Sequence, residues 1–157
     1  MSRITLTDLI TKNVTDMNHM FANCSELKTI NIGVMDTTNV IDMDYMVSNC
    51  EKLQILNING LNTQSVVGME GMFSGLPLIE SIDISSFNLL KVANMSNMFE
   101  NSVKLTFVKI MTEIDPLVKT TDMFNGITTN GELHYNINYN YARIITALPK
   151  TWNAIEA

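Results

Sequence analysis

The apolar positions of this chain repeat with a period of 26 residues. Met17, Met43, Met69 and Met95 form one column, and Met20, Met46, Met72 and Met98 form a second. Phe21, Val47, Phe73 and Phe99 follow in step, then Phe124, one residue short of the period. Val14, Val40, Val66 and Val92 share a column, as do Leu27, Leu53, Ile79 and Leu105. Each unit closes on an apolar-polar-apolar triplet: Ile30-Asn31-Ile32, Leu56-Asn57-Ile58, Ile82-Asp83-Ile84, Val108-Lys109-Ile110 and Leu133-His134-Tyr135. One period before Ile30 stands Ile4-Thr5-Leu6, so the chain starts partway through a unit.

Two periodicities are present within a unit. Met17, Met20, Phe21, Cys24 and Leu27 sit at i, i+3, i+4, i+7 and i+10, which predicts one face of a helix of about three turns. Asp16, Asp42 and Asn94 stand just before the first Met, where a side-chain oxygen caps a helix N-terminus. Gly68 holds the same place in the third unit. The triplet alternates and predicts a short strand with one buried face. One strand and one helix per unit, always in the same order, make an α/β solenoid of parallel strands. No unit buries its apolar face alone, so neighbours must stack.

The chain is read as one domain, 1–157. It holds a partial unit at about 1–12, units at 13–38, 39–64, 65–90, 91–116 and 117–136, and a C-terminal cap at 137–157. The fifth full unit is degraded: Glu113-Ile114-Asp115-Pro116 replaces the usual loop and Thr replaces the first Met. Tyr141 to Leu148 predicts a short closing helix stopped near Pro149, with Trp152 folded back as a lid. Ile4-Thr5-Leu6 is expected to be an uncovered parallel edge, and such edges invite pairing, including self-association.

The columns resemble the BspA-like leucine-rich-repeat surface proteins, in the branch shared with mycoplasma-type surface lipoproteins. The residues that carry the resemblance are Met35-Asp36-Thr37-Thr38-Asn39-Val40-Ile41-Asp42-Met43-Asp44-Tyr45-Met46. Ser85-Ser86-Phe87-Asn88 leading to Met95-Ser96-Asn97-Met98-Phe99 repeats them, and Leu148-Pro149-Lys150-Thr151-Trp152 is similar to the closing segment of such arrays. The resemblance covers about residues 4–152. It implies a leucine-rich-repeat-like solenoid of about five to six repeats, used for adhesion and binding on bacterial, protist or phage-related surfaces. Leu76 and Ser102 stand where the family has Cys, and the third unit carries Gly68, Gly71 and Gly75.

Composition narrows the partners. A net charge of −6 and a pI near 4.7, with no Lys/Arg cluster, argue against a nucleic-acid backbone. No window has the apolar length of a membrane span, and residues 1–12 lack the zones of a signal peptide. Any secretion signal or anchor is expected outside this chain. The Asn, Thr and Ser content suits an extracellular or cell-surface protein, or alternatively a virion protein.

No residue set points to catalysis. The Met ladder suits Cu(I) chemically, but an apolar stripe with flexible thioethers is first a packing device; no metal and no cofactor is expected. Cys24 and Cys50 share a small-residue column one unit apart, at a spacing wider than a disulfide favours. His19 and His134 have no nucleophile or paired carboxylate at a telling spacing. Asp16, Asp42, Asp44 and Asp36 suggest a calcium site only loosely, since capping already accounts for the first two. Asn13-Val14-Thr15, Asn23-Cys24-Ser25 and Asn94-Met95-Ser96 match the glycosylation pattern as by-products of an Asn-rich repeat.

The candidate site is therefore a surface. The outward strand residues make a row of Thr5, Asn31, Asn57, Asp83, Lys109 and His134, flanked by Thr29, Ile55, Ser81 and Phe107. The expected binding residues are Asn31, Ile55, Asn57, Ser81, Asp83, Phe107, Lys109 and His134. The expectation is a non-enzymatic module that binds a protein or glycan, on another cell or in a larger assembly, through its parallel sheet. The alternative is a phage or virion structural component, a decoration, fibre or tail protein.

Overall fold

The computed structural model describes residues 3–6, 9–32 and 35–157. It is a parallel β-solenoid of about five turns. Its strands are β1 (Arg3–Thr5), β2 (Thr29–Asn31), β3 (Ile55–Asn57), β4 (Ser81–Asp83), β5 (Phe107–Ile110), β6 (Gly131–Tyr135) and β7 (Trp152–Glu156). One helix, α1 (Ala142–Ala147), precedes β7. Within each of two sheets, β1 to β3 and β4 to β7, successive strands pair in parallel; Ile30 lies beside Leu56, and Val108 beside Leu133. The orientation expected for the Thr5 side chain lies outside what is described.

Among the described residues, the helix expected in every unit is absent. Where it was placed, the chain instead runs as consecutive tight turns. The N–H groups of Met20, Ala22 and Cys24 bond three residues back, to Met17, His19 and Phe21. The alternate N–H groups leave the unit altogether. Met17 donates to the Asp42 carbonyl, His19 to Asp44, Phe21 to Met46 and Asn23 to Ser48. The same four bonds recur between the second and third units, the third and fourth, and the fourth and fifth. Backbone groups that a helix would satisfy within itself are satisfied here by the next turn of the solenoid.

The cause is two left-handed residues per unit, four apart. His19, Tyr45, Gly71, Asn97 and Asp122 form one such column, and Asn23, Asn49, Gly75, Asn101 and Gly126 the other, all with φ between 53° and 64° except Gly126 at 79°. A residue in that region at the third place of a turn reverses the chain and ends any helical run. The expected helix caps are turn acceptors instead. Asp16 Oδ1 takes the Asn18 N–H at 2.8 Å, Asp42 Oδ1 that of Asp44 at 2.7 Å, and Asn94 Oδ1 that of Ser96 at 3.1 Å.

The core lies inside the coil. Met17, Met43, Met69, Met95, Met46, Met72 and Met98 are all buried, as the packing reading of the Met columns requires. Met20 departs from its column at 40% exposure, because no described rung stacks beneath it. Phe73, Phe99, Phe124 and Trp152 form an aromatic spine with successive ring-centre distances of 6.1, 5.3 and 5.4 Å. Trp152 thus folds back as expected, over Gly131, where a Cβ would fall 2.4 Å from its ring. Helix α1 matches the expected closing helix. Strand β7, pairing in parallel with β6, was not foreseen.

A third line of contacts runs through buried threonines. The Thr37 hydroxyl donates to the Asn62 carbonyl at 2.9 Å and accepts the Asn62 N–H at 2.8 Å. Thr63 makes the same pair with Asn88, at 3.0 and 2.7 Å. Each hydroxyl fastens its loop to the next one.

Candidate interaction surface

The strands present their polar members outward because side chains alternate across a strand. Ile30, Ile82, Val108 and Leu133 face the core, while Ser81, Asp83 and Glu132 are exposed. Asn31 and Asn57 are half-buried and linked, Asn57 Nδ2 donating to Asn31 Oδ1 at 3.2 Å. Lys109 lies between Asp83 and His134 in the register of β4, β5 and β6. The eight residues expected to form the surface therefore all lie on strands with outward or half-buried side chains.

They do not form one continuous row. β1, β2 and β3 make one sheet, and β4 to β7 make another, with no hydrogen bonding between β3 and β4. Asn31, Ile55 and Asn57 belong to the first sheet; Ser81, Asp83, Phe107, Lys109 and His134 to the second. A groove of about 570 Å³ opens at the seam, walled by Ile55 and Leu56 on one side and by Ile79, Glu80, Ser81 and Lys104 on the other. Ile55 is 60% exposed at its edge. Beyond it, the Phe107 ring lies 4.8 Å from the His134 ring. His134 also meets Glu132 at 2.9 Å. It is a member of a small cluster with Phe107 and Glu132.

Electrostatics on the turn face are local. Burial, together with the charges of Asp42 and Glu70, pushes the Asp44 carboxyl up from its ordinary value, against the Glu70 N–H it accepts at 2.6 Å. The Tyr45 hydroxyl donates to Glu70 Oε1 at 2.6 Å, and this bond with burial and the Glu70 charge pushes its pKa to about 12. His19 stacks on the Tyr45 ring at 5.0 Å. Cys24 and Cys50 are both free thiols. Burial pushes Cys50 up to about 11, and its Sγ points at the Phe21 carbonyl at 3.2 Å. Among the described residues, no group of three or more His, Cys, Asp or Glu is arranged to hold a metal. No described helix is long and apolar enough to cross a membrane.

Neither the curated proteins nor the solved structures contain a match to this chain. A family model does match. It covers residues 15–136, the whole run of complete rungs from the first left-handed turn to the end of β6. The chain belongs to the family described as "Mycoplasma protein of unknown function, DUF285".

Proposed function

We propose that this protein is a non-enzymatic recognition module at a cell surface, binding a protein or glycan through the outward face of its parallel sheets. The observation that carries the reading is the seam between β3 and β4. There a large apolar side chain, Ile55, stands 60% exposed beside an open groove, with Phe107 on the neighbouring sheet. An apolar anchor beside a polar, hydrogen-bonding surface is what a specific contact uses. The Asn31–Asn57 pair and the Asp83, Lys109 and His134 row supply polar groups of both kinds around it. The resemblance of the repeat columns to BspA-like surface proteins supports the same reading.

The test is a screen of the immobilised protein against glycans and extracellular proteins, repeated with an Ile55→Arg, Phe107→Ala variant. Both side chains lie outside the fully buried core, so the melting curve should hardly move. Binding should fall at least about tenfold, the loss of one good anchor. Full retention of binding by the double variant would remove the sheet face from the account.

A further inference from the structure

At the C-terminal end of the turn face, the ladder between rungs stops with its donors open. In each earlier step, four alternate N–H groups give hydrogen bonds to carbonyls of the following rung. In the fourth rung these are Met95, Asn97, Phe99 and Asn101, donating to Lys119, Thr121, Met123 and Asn125 at 2.8 to 2.9 Å. The equivalent groups of the fifth rung are the N–H groups of Thr120, Asp122, Phe124 and Gly126. None of the four has an acceptor among the described residues. Their rung is otherwise formed normally, with Met123, Asn125 and Ile127 bonding three residues back to Thr120, Asp122 and Phe124.

The cap does not cover them. Besides the β6–β7 pairing and the Trp152–Phe124 stack, it is pinned on either side of the groove, where Thr120 Oγ1 donates to the Arg143 carbonyl at 3.4 Å, and where Thr151 Oγ1 and Trp152 Nε1 donate to the Thr129 carbonyl at 2.9 and 3.1 Å. Between the pins it stands off. The space left is a groove of about 610 Å³, bounded by the same Thr120, Asp122, Phe124 and Gly126 and, across from them, by Ala147 and Pro149.

We propose that this groove takes a peptide segment of a protein partner, which adds one more rung of tight turns to the turn face. The surface is separate from the sheet face and does not depend on it. The occupant follows from the donors. Along these seven residues they alternate with positions such as Met123 and Asn125, whose N–H groups are engaged within the rung, so they call for acceptors at the pitch of a peptide backbone running alongside. A single anion cannot reach all four. Every other such row in the described ladder is met by a polypeptide whose alternate carbonyls face it. Main-chain pairing of this kind supplies affinity with little demand on side chains, as when a peptide extends a sheet edge.

Amide hydrogen exchange read residue by residue tests this. The probe is a synthetic peptide with the sequence of residues 117–128, the segment that already lies on the equivalent edge of the fourth rung. In the free protein, the amides of Thr120, Asp122, Phe124 and Gly126 should exchange at least about a hundredfold faster than those of Met95, Asn97, Phe99 and Asn101. Saturating peptide should slow the same four at least about tenfold. Thr128→Trp, at an exposed position on the groove wall, should abolish that slowing without altering the melt. Four amides already slow in the free protein, no slowing with the peptide, or slowing that survives Thr128→Trp would each overturn the proposal.

Discussion

Gly126 lies hard against Asn101: a Cβ added at Gly126 would fall 2.2 Å from Asn101 Oδ1. The contact repeats at Gly75 over Asn49, again at 2.2 Å, so the left-handed column is also a line of close approach between rungs. Gly126→Ala adds a methyl group into that space and a side chain at φ 79°. The expected loss is about 1–3 kcal/mol, the usual cost of a left-handed non-glycine that also clashes. Thermal melts of Gly126→Ala, Asn101→Gly and the double variant check it. The double variant should recover part of the loss, because the shared contact makes the two changes non-additive.

Thr63→Val keeps the shape of a buried side chain and removes one hydroxyl. That hydroxyl both donates to the Asn88 carbonyl and accepts the Asn88 N–H. Two backbone groups lose their partner at once, so chemical denaturation should show a loss of about 1–3 kcal/mol. Thr38→Val, one rung earlier in the same kind of loop but at a half-buried position, should cost much less. Equal losses would mean that the buried threonines are not fasteners.

The register of the solenoid was legible in the sequence, and its secondary structure was only half so. The triplets Ile30-Asn31-Ile32 and Leu56-Asn57-Ile58 pair at the offset of 26 that the columns give. The stretch from Met17 to Leu27 was misread because i, i+3, i+4, i+7 spacing is not unique to a helix. Consecutive three-residue turns that curl around a core produce it too. The signal that separates the two is the column Asn23, Asn49, Gly75, Asn101, Gly126, made only of residues at ease in the left-handed region. Gly68, which holds the place of Asp16, Asp42 and Asn94 in the third unit, marks where the Asp44 and Asp42 carboxylates close in, 2.7 and 3.1 Å from a Cβ placed there. The outward or half-buried positions of the eight residues follow from strand alternation alone. The seam between β3 and β4, and the open donors at Thr120 to Gly126, depend on how rungs meet, which no single unit encodes.

The two cysteines should behave differently toward a thiol reagent. Cys50 is fully buried, its thiol is pushed up to about 11, and it points at the Phe21 carbonyl. Thiolate is the reactive form, so Cys50 should resist alkylation at neutral pH until the protein unfolds. Cys24 is half-buried and should react in the folded state. Mass spectrometry after brief alkylation should find one label per chain, on Cys24. Two labels, or a disulfide, would contradict the packing of this column.

Stability should fall in alkali through Tyr45. Its folded pKa, about 12, is raised above the ordinary 10.0, chiefly by the hydrogen bond to Glu70. Between these values the unfolded chain loses the proton while the folded chain keeps it, so ionisation favours unfolding. The contribution is complete below about 10 and is lost as pH rises toward about 12. Melting curves of wild type and Tyr45→Phe across that window isolate it from other alkaline titrations. The wild type should lose more stability than the variant.

Each described rung is a chain of tight turns tied to the next rung, not a helix. Far-ultraviolet circular dichroism tests it most directly. With α1, Ala142–Ala147, as the one α-helix among the described residues, the spectrum should lack the paired minima of a helical protein and give a helix content below about a tenth, far under the third of residues usual in globular domains. A spectrum with deep paired minima, as one three-turn helix per 26-residue unit would give, would contradict the account.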